Sequence, residues 1–164
     1  IQCEKYNFVM NFPRLYSVER EFNVPVDKLW HAWTDPSALT AWHHPVGMSC
    51  LPGATQSEMK IGGLWSYAVQ VPGRESISYF FGKYSLVQEN LRFEHSMHYT
   101  ESKDAFEDKD FNTPAHQISV EFESRGDKSW SKFSQYGEAP EGQVALMAQG
   151  IESYFDSLEA FLKS

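Results

Sequence analysis

The spacing of apolar positions divides the chain into stretches of different period. Over residues 14 to 24, RLYSVEREFNV, the positions Tyr16, Val18, Arg20, Phe22 and Val24 share one phase of a period-two alternation, the signature of a half-buried strand. Pro25 and Asp27 then open a run in which Val26, Leu29, Trp30 and Trp33 recur at helical spacing, until Asp35-Pro36 ends it. A second short helix is predicted over Pro36, Ser37, Leu39 and Trp42, closing near His43, His44 and Pro45.

From Ser49 to Tyr136 the text reads as strands broken at Gly62-Gly63, Pro72-Gly73, Glu89-Asn90 and Gly126-Asp127, which predicts an antiparallel meander. Trp65, Tyr67, Val69 and Val71 share one strand face, and Phe93, His95, Met97 and Tyr99 share another. Phe80, Gly82, Tyr84 and Leu86 form a matching face between them, yet Tyr79 and Phe81 make the opposite face apolar too, so the residues allow either register. Ile118, Val120 and Phe122 alternate cleanly, while Trp130, Phe133 and Tyr136 settle on no single phase. Residues 101 to 114, ESKDAFEDKDFNTP, show no sustained period and read as a solvated acidic loop in which Phe106 and Phe111 pack locally, in preference to a partner-docking element or a lid over a cavity mouth. The closing stretch is helical: Val144, Met147, Ala148, Ile151, Phe155, Leu158 and Leu162 fall on one stripe, and one helix is predicted over residues 142 to 163.

Strand, two short helices, about six strands and a long helix make an α+β order. A twisted sheet of that size curls, and a single helix laid across its concave face fills only part of the interior, so a ligand cavity is expected between them. The length of 164 residues predicts one domain over 14–164, preceded by an N-terminal extension over 1–13.

Composition narrows the function. Fourteen Lys and Arg against 22 Asp and Glu leave a net charge of −8, which repels phosphates and anionic lipid and argues against nucleic-acid and membrane partners. No apolar run is long enough to span a membrane, and the start IQCEKYNFVMNF lacks the basic region and cleavage site of an export signal, so a cytoplasmic location is expected. Cys3 and Cys50 stand far apart without metal-like spacing and are expected as reduced thiols.

Several motifs together resemble a known family. The run FNVPVDKLWHAWTDPSALTAWHHPVG, through Phe22, Pro25, Trp30, Ala32, Trp33, Thr34, Asp35, Pro36, Leu39, Trp42 and Pro45, resembles the opening of the SRPBCC (START-like) superfamily, in the branch related to the activator of heat-shock protein 90 ATPase. His43 and His44 replace that branch's usual Trp-Gly. Gly62, Gly63 and Trp65 look like its G-G-x-W, followed by Gly82, Leu91 and Phe93, and Gln135, Gly150, Ser157, Leu158 and Leu162 look like its closing pattern. The resemblance implies a helix-grip fold, a curved antiparallel sheet wrapped around the C-terminal helix with a cavity between. It implies less about activity, because binders, cyclases and co-chaperone modules share this scaffold.

The six histidines are the first candidates for chemistry. His95 and His98 lie three apart on a strand, point to opposite faces and cannot chelate one ion. His43 and His44 are adjacent in a turn without a third ligand, His31 and His116 read as surface positions, and no metal or cofactor is expected. No nucleophile motif surrounds any Ser or Cys, and Gly62-Gly63 lacks a phosphate-binding context and reads as a turn. His95 shares its face with bulky apolar residues, where it reads first as a core histidine satisfied by a neighbour or water and second as the candidate polar group of the cavity.

Three functions compete. The expected one is a small-molecule binding protein holding an apolar or aromatic ligand, in a cavity lined by some of Trp42, Trp65, Tyr67, Tyr84, Phe93, His95, Met97, Met147, Ile151 and Phe155. The second is a chaperone-associated module that works through its surface. The third, least favoured, is a cyclase- or hydratase-type enzyme, for which His95 and Tyr99 are the suggestive residues.

Overall fold

The computed structural model describes residues 12–164. Of the N-terminal extension expected over residues 1–13, only Phe12 and Pro13 are among them, and Cys3 lies outside the described residues. Strand β1 spans Arg14–Phe22 and leads into helices α1, Val26–Thr34, and α2, Pro36–Trp42. The Asp35 carboxylate accepts from the Ala38 amide at 3.0 Å and Pro36 follows it, so one Asp-Pro step ends the first helix and caps the second. The Trp42 indole donates to the Ala32 carbonyl at 2.7 Å and ties the pair together.

The remaining strands are β2, Ser49–Cys50; β3, Gln56–Ser57; β4, Leu64–Gln70; β5, Ile77–Gln88; β6, Arg92–Thr100; β7, His116–Arg125; and β8, Lys128–Tyr136. They form one antiparallel sheet ordered β1-β8-β7-β6-β5-β4-β2, with β3 paired to β4. Helix α3, Lys103–Asp108, lies between β6 and β7, and helix α4, Val144–Lys163, closes the chain after a single 3-10 turn. The sheet curls around α4, with α1 and α2 closing the same side. On that concave side Phe155, Leu158, Leu29, Trp42 and Phe93 are almost wholly buried. Arg20 reaches from β1 to Asp156 at 2.8 Å and Glu152 at 2.9 Å, fixing the helix across the strand. Among the described residues no helix is long and apolar enough to cross a membrane.

Local readings of the sequence need correction in four places. The 101–114 segment holds helix α3, capped by the Ser102 hydroxyl on the Ala105 amide, and its Phe106 is buried. Phe106 and Phe111 pack on Tyr79 and Phe81 of the convex face of the sheet, with Ala54 and Ala68, so this loop covers a second apolar cluster. In β5 a bulge between Tyr84 and Leu86 reverses the alternation, so Val87 packs against the main core where Leu86 was expected. Tyr99 is 54% exposed, packs on Phe80 with 5.3 Å between ring centroids and donates to Glu101 at the surface, so it is not the buried acid or base that the enzyme reading needs. His116 is half-buried and hydrogen-bonded, unlike the surface position expected of it.

Candidate binding cavity

A cavity of about 210 Å³ lies between the concave face and α4. Its walls come from every layer: Tyr16 of β1, Trp33 and Leu39 of the two short helices, His43 just beyond them, and Trp65, Tyr67, Phe80, Phe93, His95, Met97, Ile118, Phe133 and Gln135 of the sheet. Met147, Gly150, Ile151 and Tyr154 of α4 complete it. Tyr16, Phe80, Met97, Met147, Gly150 and Ile151 are half-buried while the other lining residues are buried, so the mouth lies between the helix and the ends of β1, β5 and β6.

Of the residues expected at a cavity, Trp65, Tyr67, Phe93, His95, Met97, Met147 and Ile151 surround this one. Trp42, Tyr84 and Phe155 do not line it. Trp42 packs edge-on against Trp33 at 4.8 Å, Tyr84 packs edge-on against Phe93 and hydrogen-bonds Ser57, and Phe155 is wedged between Phe22 and Trp33. All three are core. The sequence reading missed the other lining residues, among them the polar His43, Tyr154, Tyr16 and Gln135. His43 is the C-cap of α2, and its ring sits 4.1 Å from Tyr67 and 5.2 Å from Tyr154. The signal that pointed to it was the place where the turn departs from the family's Trp-Gly.

No Asp, Glu, Lys or Arg is among the described residues that line it. Both imidazoles are held neutral. Burial drives His43 down to about 3, assisted by repulsion from His95 and His44, and burial drives His95 down to about 4 against the pull of the Ser96 carbonyl. The Tyr67 and Tyr154 hydroxyls meet at 2.9 Å, and burial raises both well above the ordinary phenol range, so they stay protonated. Burial likewise pushes the nearby Cys50 thiol up to about 11, which makes it a poor nucleophile at neutral pH. Among the described residues no three His, Cys, Asp or Glu side chains gather as a metal site would require. The chemistry available is therefore aromatic burial with a few neutral hydrogen-bonding groups.

Residues 23–163 match the family described as Activator of Hsp90 ATPase homolog 1-like protein. No curated protein matches the chain. Among solved structures, a Chromobacterium violaceum protein superposes with a TM-score of 0.74 at 16% identity, covering 91% of this chain and 96% of its own. The AHSA1 protein from Silicibacter pomeroyi gives 0.74 at 15% identity, over 90% and 96%. A Staphylococcus epidermidis protein gives 0.73 at 24% identity, over 90% and 88%. At these identities the superpositions establish the helix-grip fold alone.

Proposed function

The chain belongs to the Activator of Hsp90 ATPase homolog 1-like protein family, and from that footing we propose that it is a binding protein for a small, mainly apolar or aromatic molecule. One observation carries this reading: a cavity of about 210 Å³ walled by aromatic rings, with no charged side chain among the described residues that line it. An apolar cavity of roughly 150 Å³ holds benzene, so a one-ring or short-chain group is the matching size for the enclosed part. Ring faces supply burial energy, while His95, His43 and the tyrosine hydroxyls supply orientation.

Gly150 offers a direct test. It lines the cavity on α4, and a Cβ built there meets no atom within 4 Å. A Gly150→Leu change should place a side chain in the mouth, weaken binding of toluene at least tenfold, and leave the protein as stable or more so, because glycine costs about 1 kcal/mol in a helix interior. Intrinsic tryptophan fluorescence reads both, Trp65 and Trp33 being in the wall. Equal toluene affinity in the two proteins would sink the reading.

A chaperone-associated role takes its support from the family description. Stimulation of heat-shock protein 90 ATP hydrolysis by this chain, undiminished in Gly150→Leu, would put that role ahead.

A further inference from the structure

His95 supplies the cavity with a hydrogen-bond acceptor. This residue is 2% exposed and stacks on Trp65 with 3.8 Å between ring centroids. Its Nδ1 lies 2.9 Å from the Ser96 carbonyl oxygen. A carbonyl only accepts, so Nδ1 carries the hydrogen of the neutral ring and Nε2 is a bare acceptor. Within the described residues Nε2 makes no hydrogen bond, and it is not among the partnerless side-chain atoms sealed from solvent. Its lone pair therefore borders the cavity that His95 lines. Gly82 belongs to this arrangement: a Cβ at that position would meet the Ser96 oxygen at 1.8 Å, so only glycine lets the strands approach with that carbonyl in place.

The mouth has the same polarity. His116 Nε2 lies 3.0 Å from the Glu138 carbonyl and so donates, which leaves its Nδ1 to accept from the Gln135 amide at 2.7 Å. Gln135 Oε1 in turn accepts from the Tyr16 hydroxyl. With its hydrogen used, the Tyr16 oxygen also offers lone pairs to a ligand.

A ligand without a donor displaces solvent from Nε2 and leaves this acceptor unpaired at a cost in free energy, whereas a ligand that carries a donor replaces the hydrogen bond it takes away. An ionised carboxylate, by contrast, would find no cation among the described lining residues. We propose that the cavity selects a neutral, ring-sized ligand bearing an O–H or N–H donor that bonds His95 Nε2, with phenols the chemical class that fits. A phenol combines a ring face for Trp65 and Phe93 with one donor in the ring plane. This rests on the small-molecule reading above and narrows it.

Phenol, anisole, toluene and benzoate titrated into the full chain test the inference. Anisole keeps the oxygen and lacks the donor, so phenol should bind about tenfold tighter than anisole, with benzoate weakest. In His95→Phe, which keeps a ring against Trp65, toluene should still bind while the difference between phenol and anisole collapses. The ¹⁵N signal of His95 Nε2 should move upfield with phenol and stay put with toluene, a response that a merely structural histidine would not give. Equal binding of phenol and anisole by the wild type, a difference that survives in His95→Phe, or a preference for benzoate would each overturn the inference and leave the cavity reading standing. Failure of all four probes to bind would overturn both. Should His95→Phe fail to fold, the wild-type comparison and the nitrogen signal decide the matter alone.

Discussion

Two imidazoles buried near one another without a counter-charge make the fold sensitive to acid. In the unfolded chain both titrate near 6.5, whereas in the folded protein His43 is held near 3 and His95 near 4. Between those values the unfolded state binds protons that the folded state refuses. The stability from keeping the rings neutral is therefore complete above about pH 6.5 and drains away as pH falls toward 4, by roughly 1 kcal/mol per pH unit for each group. A His43→Phe variant should accordingly gain on the wild type as pH drops from 6.5 to 4.5. Thermal melts of the two proteins across that range check this, with the carboxylates common to both cancelling in the difference. A constant gap would mean that His43 is already charged or accessible when folded. The burial of His43 was hard to read because an adjacent His-His pair after a helix looks like a solvated turn. What buries it is tertiary: α2 ends with φ −77° and ψ 64° at His43, which turns its ring inward between Tyr67 and Tyr154.

At the scale of elements, the closing helix shows what periodicity can and cannot specify. The apolar stripe over residues 144 to 162 identified α4 and the side it buries, because a 3.6-residue repeat is visible in one sequence. A stripe more than 100° wide has two edges, however, and only neighbouring elements decide which edge meets the cavity. Ile151 and Tyr154 fall on that edge, whereas Phe155 turns to Phe22 of β1 at 5.8 Å and Trp33 of α1 at 6.1 Å. Phe155→Ala should thus cost about 3 to 5 kcal/mol as a core truncation, measured by denaturant unfolding. An unchanged midpoint would contradict the burial of its ring. The β5 bulge was illegible for a similar reason. Alternating apolar residues on both faces of residues 79 to 87 satisfy either register, and the pairing with β6 chooses between them.

On the scale of the whole molecule, the order of elements and the motif resemblance were enough to expect a helix gripped by a curved sheet. The second apolar cluster, on the opposite face of that sheet, was not foreseen, since its members come from separate strands and an aperiodic acidic segment. The two faces meet in single strands: β6 carries His98 outward, stacked on Phe81 at 5.0 Å, and Met97 inward to the cavity. Phe106 anchors the outer cluster under the Lys109 ammonium, which lies 3.7 Å from its ring centroid. Phe106→Ala should remove about 3 kcal/mol of stability. Its effect on toluene binding should stay within roughly twofold, because the sheet backbone that positions the lining residues is held from the concave side by α4 and from its edges by strand pairing. Urea unfolding and toluene titration on the same sample separate the two quantities. A loss of toluene affinity in step with stability would show instead that the outer cluster sets the curvature of β5 and β6, and that the volume of the cavity is determined from both faces of the sheet.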